Sequence, residues 1–151
     1  ARMFIPIDTS ALSDTAVISA ATLGVVVETD IGVSINIGVI QTSQASTSSL
    51  VIGDFDAMTI NSPVEGAGRI TFASTGLKTF TLNTSGRGWI SLTGWTLLGL
   101  RSANDIDDIS PTGTSNTKEI RASEYADTGS DPYLSITYTV TGFMSLNTKY
   151  W

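Results

Sequence analysis

"IGVSINIGVI", residues 31–40, decides the fold. Ile31, Val33, Ile35, Ile37 and Val39 alternate with Gly32, Ser34, Asn36 and Gly38, a repeat of two that a strand satisfies and a helix does not. Just upstream, Val17, Ser19, Ala21, Leu23, Val25 and Val27 share one face of "VISAATLGVVVE" (17–28), while Val26 on the other face implies burial on both sides. The two segments are expected to pair around "ETDIG" (28–32).

Working outward, the same composition of Thr, Ser, Gly, Ile and Val continues on both sides, the mixture that suits half-buried pleated surfaces joined by turns. Further strands are expected at 3–8, 49–55, 68–74, 77–83, 88–94, 95–102, 118–123 and 132–140. In the last of these, Leu134, Ile136, Tyr138 and Val140 alternate with Tyr133, Ser135, Thr137 and Thr139. Clusters such as "QTSQASTSS" and "NTSGRG" punctuate the strands as in a sandwich or barrel. Helix is expected only as a turn or two near 102–109 or 57–60. The fold class is therefore all-β: an antiparallel sandwich of about ten strands in one domain over 1–151, with 141–151 as a C-terminal tail.

Composition removes several chemistries. The 151-residue chain has no cysteine and no histidine, so thiol nucleophiles, imidazole bases and imidazole metal sites are absent. Fourteen acidic against eight basic residues give a net charge of −6, a field that repels the phosphates of nucleic acid. No stretch approaches the roughly 20 apolar residues of a membrane helix. The lack of cysteine excludes a disulfide-built scaffold and nothing more.

The C-terminal half adds a pattern. Leu100-Arg101, the acidic Asp105, Ser123-Glu124 and Asp131-Pro132-Tyr133-Leu134 follow one another in an order that resembles the DNRLRE-like β-sandwich domains, and "FIPIDTSALSDTAVISAATL" resembles the first strands of that family. Residues 41–75 match least. The resemblance implies a jelly-roll-like sandwich without inherent catalysis, of the kind present in bacterial surface proteins, secreted polysaccharide-active enzymes and phage structural proteins. Little precedes Ile7-Asp8, where such domains carry another strand, which implies a segment of a longer chain or a domain completed by a neighbouring chain.

Four groups of residues are candidates for function. Asn104, Asp105, Asp107 and Asp108 present oxygen donors of the kind that hold a structural calcium at about 2.3–2.6 Å, but their spacing is not that of an EF-hand, and turn chemistry explains them more simply. Arg101 and Glu124 are expected to form a structural ion pair pinning the loop between their strands. Trp89, beside Gly88, and Tyr125 are the aromatics that a glycan-binding surface would expose, against the simpler reading of Trp89 and Trp95 as lids of the core. The tail residues Phe143, Met144, Leu146, Tyr150 and Trp151 either fold back on the sandwich or dock on another subunit, and docking is the preferred expectation. "NTS" at 83–85 has the form of a glycosylation sequon.

These readings converge on a non-catalytic structural or interaction domain of an extracellular assembly, foremost a phage virion accessory protein such as a head decoration, fibre or tail component. It would act as a homo-oligomer through other virion subunits and surface polysaccharide, without nucleic acid or membrane as partner. A carbohydrate-binding module of a secreted or cell-surface protein is the alternative. A polysaccharide hydrolase, which needs two carboxylates about 5 to 9.5 Å apart, comes third.

Overall fold

A computed structural model describes residues 2–58, 62–110, 117–123, 128–140 and 146–151. Among them, nine strands form two antiparallel sheets: β1 (Arg2–Asp8), β2 (Val17–Ile31), β3 (Ile35–Gln41), β4 (Ile70–Phe72), β5 (Gly76–Thr81), β6 (Trp95–Ser102), β7 (Thr117–Ile120), β8 (Tyr133–Thr139) and β9 (Leu146–Tyr150). One sheet runs β1-β6-β3-β4 and the other β5-β2-β8-β9. Helix is confined to single turns: α1 (Thr84–Gly88), α2 (Ala103–Ile106) and two short 3-10 segments, Ile52–Ala57 and Thr128–Ser130. No helix among the described residues is long and apolar enough to cross a membrane.

The period-two pattern builds the core. Ile37 and Val39 of β3, Ile5 and Ile7 of β1, Leu98 and Leu100 of β6, and Phe72 of β4 face Ala21, Leu23, Val25 and Val27 of β2, Phe80 of β5, and Leu134 and Ile136 of β8 in one apolar cluster. Phe72 and Phe80 join the two sheets with ring centroids 6.2 Å apart. Each fully buried aliphatic side chain contributes about 1.5–3 kcal/mol, so the facing layers dominate stability.

Partnership departs from expectation where pattern alone was informative about faces only. β2 and β3 do not pair with each other. They lie in opposite sheets, and the bend at 32–34, opened by Gly32 at φ 89°, carries the chain across. Ile31 and Val33 are therefore exposed at the crossing. At the start of β2 an irregularity between Ile18 and Ala20 shifts the register, placing Ile18 against the core and Val17 in solvent.

The long β2 also carries two partners end to end. Val27 is opposite Gly76 on one side, so Ile120, its other partner, must lie on the side that β8 occupies over Val17–Gly24. Charge holds that short partner: Lys118 pairs with Asp30, Arg121 with Glu28, and Thr29 donates to Glu119.

Two expected strands are not strands. Residues 49–55 instead enter the 3-10 turn, because the Asp54 carboxylate accepts from the N–H groups of Val51 at 2.9 Å and Ala45 at 3.2 Å and curls the chain on itself. Residues 88–94 close α1 and then turn. Asn83 caps the helix by accepting from Gly86 N–H at 3.0 Å, and buried Thr9 clamps the turn through Ser91 O, Gly94 O and the Thr96 hydroxyl. The tail yields a strand that the pattern did not predict: β9 pairs with β8, so residues 146–151 fold back on the sandwich.

Candidate functional site

Two regions stand out as candidate sites, the acidic loop and a cleft, and they are built in opposite ways. The acidic loop is α2 and its exit. Asp105 accepts from Arg101 Nε at 2.7 Å and, bidentately, from Arg2 Nε at 2.9 Å and Arg2 Nη2 at 3.0 Å. Arg101 also donates to the Asp105 carbonyl at 2.6 Å, and its side chain is 0% exposed. Arg2 reaches Phe55 O at 2.7 Å and lies over the Phe55 ring. Burial works to raise the Asp105 carboxyl pKa, and the hydrogen bonds from Arg2 and Arg101 overcome it, holding the group well below the usual carboxylate range.

Asp107 serves a different arginine. It takes two 2.6 Å bonds from Arg69, which also grips Glu65, and those bonds raise the guanidinium pKa while lowering that of Asp107. Asp108 has a backbone role: at φ 55° it is the left-handed residue past α2, with Ile109 N–H closing onto Asn104 O at 2.8 Å and Asp107 N–H onto Ala103 O at 2.8 Å. Ile106 points back over β3, where a side chain at Gly38 would come within 2.8 Å of it. The aspartates thus diverge to separate arginines and a helix cap, and among the described residues no three acidic side chains converge as a calcium shell requires. Glu124, the expected partner of Arg101, lies outside the described residues, as do Tyr125, Phe143 and Met144.

The second region is a cleft of about 490 Å³ along β1, the edge strand of its sheet. Trp95 lines it where β6 begins and Trp151 where the chain leaves β9; they are 48% and 54% exposed. Ser46, Thr47, Ser48 and Ser49 supply hydroxyls along its rim, and Gln44 lines it with a buried amide whose Nε2 has no acceptor among the described residues. Pro6 is tolerated in β1 because an edge strand need not donate on its outer side. No described lining residue carries a charge.

Neither tryptophan of the cleft was the glycan candidate of the sequence. Trp89 is half-buried, packed on the core and lying against Gly66, and it does not line the cleft. Asn83 of the "NTS" sequon spends its amide on Gly86 N–H and Glu65 O. Tyr150 is half-buried against the core, where burial and the neighbouring Tyr138 raise its pKa. The missed signal was "TGW" at 93–95: a tryptophan straight after a turn sits at a strand mouth, where solvent reaches it.

Searches of protein-family models, curated proteins and solved structures return no significant match to this chain.

Proposed function

We propose that the protein is a non-catalytic attachment domain of an extracellular assembly, such as a virion, and that its working surface is the β1 cleft, which takes a neutral glycan. The observation that carries this reading is the pair of half-exposed tryptophans lining one cleft with a hydroxyl-rich rim. Pyranose rings present flat C–H faces to aromatic rings and hydroxyls to Ser, Thr and amide groups, and binding sites combine an apolar surface with a few placed polar groups in this way. The net charge of −6 and the uncharged lining favour a neutral sugar over an acidic one. Against a hydrolase reading, Glu28, Asp30, Glu65, Asp105 and Asp107 are each bound to a cation and none of them lines the cleft.

The test is binding of cellohexaose, maltohexaose, xylohexaose and chitohexaose, followed by calorimetry. At least one should bind, and Trp95→Ala or Trp151→Ala should weaken it by about thirtyfold, the loss of a hot-spot contact near 2 kcal/mol. Absence of binding across the panel sinks the reading.

A second reading, attachment through protein subunits, is favoured by Leu50, Val51, Ile52 and Phe55, exposed together on one segment with Ile52 at 98%. Sedimentation of the full chain and of Ile52→Ser tests it: a monomer at all concentrations removes this reading.

A further inference from the structure

The cleft wall formed by Trp151 lies just past β9, and it is braced by a set of side chains on the outer face of β2, β8 and β9. Gly24 and Tyr133 are directly paired across β2 and β8. A Cβ at Gly24 would fall 2.3 Å from the Tyr133 ring, so the missing side chain is what lets that ring lie down on the sheet. Trp151 meets Tyr133 edge-on, with centroids 5.7 Å apart and planes at 63°. Lys149, two residues before Trp151 on the same face of β9, puts its Nζ 3.6 Å from the Tyr133 centroid and 4.0 Å from that of Trp151.

One ammonium on two rings fixes both. An aromatic pair in contact retains rotational freedom about χ1 and χ2, and a cation shared between the two faces removes it, because only one arrangement satisfies both quadrupoles. We infer that Lys149 is a positioning residue for the cleft: seated on Tyr133 and Trp151, it sets the angle at which the Trp151 ring closes the binding surface. This rests on the glycan reading of the cleft. Affinity for a flat ligand face depends on a wall already held in place, since ordering a free side chain at the moment of binding costs affinity.

The experiment compares wild-type, Lys149→Met, Lys149→Arg, Tyr133→Phe and Trp151→Ala full-length proteins. The probe is whichever hexaose of the panel above binds, or cellohexaose if none does. Each protein is also labelled with 5-fluorotryptophan, the Trp151 resonance being identified by its loss in Trp151→Phe. Lys149→Met should raise Kd about two- to fivefold, the size of one exposed cation–π contact, and should shift or broaden the Trp151 resonance while those of Trp89 and Trp95 stay put. Lys149→Arg restores the cation and Tyr133→Phe keeps the ring, so both should bind as wild type. If Trp151→Ala weakens binding but Lys149→Met changes neither Kd nor the Trp151 resonance, the role of Lys149 is overturned and the cleft reading stands. If no protein binds, the cleft reading fails, and an unmoved Trp151 resonance in Lys149→Met then overturns the positioning as well.

Discussion

The acidic loop and the tryptophan cleft invert each other. In the loop, residues that look reactive in sequence are consumed internally: Asp105 by Arg2 and Arg101, Asp107 by Arg69. In the cleft, residues that look like core are half-exposed around a hydroxyl rim. The difference teaches that a cluster of charge is a site only when its charges are left unpaired, and that large apolar side chains signal a site when the fold leaves them at an edge. Damage to the loop should therefore cost stability and spare binding, and damage to the cleft should do the reverse.

The largest expected effect is from Arg101→Met. It leaves the Asp105 carboxylate short of a partner beside the core and should cost about 3–5 kcal/mol in urea unfolding. Recovery of wild-type stability would mean that the loop is not a structural clasp. Asp105→Asn should cost about 2 kcal/mol at pH 7 by weakening the three charge-assisted bonds from two arginines. Its pH profile is the sharper test. The folded-state pKa of Asp105 lies below its unfolded value of about 3.9. Its contribution is present above that value and is lost as pH falls through the folded one. Wild type should therefore lose stability steeply below about pH 4, and Asp105→Asn should lose less over the same range; parallel acid limbs would refute the assignment.

Trp151→Ala comes next and sharpens the contrast from the other side: a binding loss of about thirtyfold with a stability change under about 1 kcal/mol, since the ring is half in water. Arg69→Met should cost less than about 1 kcal/mol, because that network is partly solvated. The smallest expected effect is from EDTA, which should leave the melting temperature unchanged. A rise in melting temperature with millimolar calcium would reopen the loop as a cation site.

The sandwich was legible because a repeat of two has one physical meaning: β6 and β8 lie where strands were expected, and β3 takes up the second half of the alternating run. Partnership was not, because alternation states which side chains share a face and is silent on which strand lies alongside. That is why β2 and β3 were expected to pair and instead face each other across the core. The strands expected at 49–55 and 88–94 were lost to single polar side chains, Asp54 and Asn83, whose backbone hydrogen bonds outcompete a weak strand preference. "NTSG" reads as a turn and a sequon, whereas its Asn83 caps a helix. Of the acidic loop, the structural reading was available from turn chemistry, but the partners Arg2 and Arg69 are 103 and 38 residues distant from the aspartates they hold, and no local pattern encodes that. The cleft was illegible for the same reason: it is assembled from β1, the segment at 44–50, Trp95, residues 122–123, Pro132 and Trp151.

The central place of β2 also governs how the molecule comes into being. Val17 is opposite Thr139, and β1 is paired with β6, so Arg2 is opposite Arg101. During synthesis β2 leaves the ribosome before any of its partners, β5, β7 and β8, has been made. The first sheet cannot close before β6 (Trp95–Ser102) has emerged, nor the second before β8 and β9 have. Loop-closure entropy must then be overcome for every pairing of long separation, so folding falls among the slow, milliseconds-to-seconds β topologies. A nascent chain stalled after β3 presents "VISAATLGVVVE" to its neighbours, and expression at low temperature or with a holdase chaperone should raise the soluble yield more than any change at the surface of the finished fold.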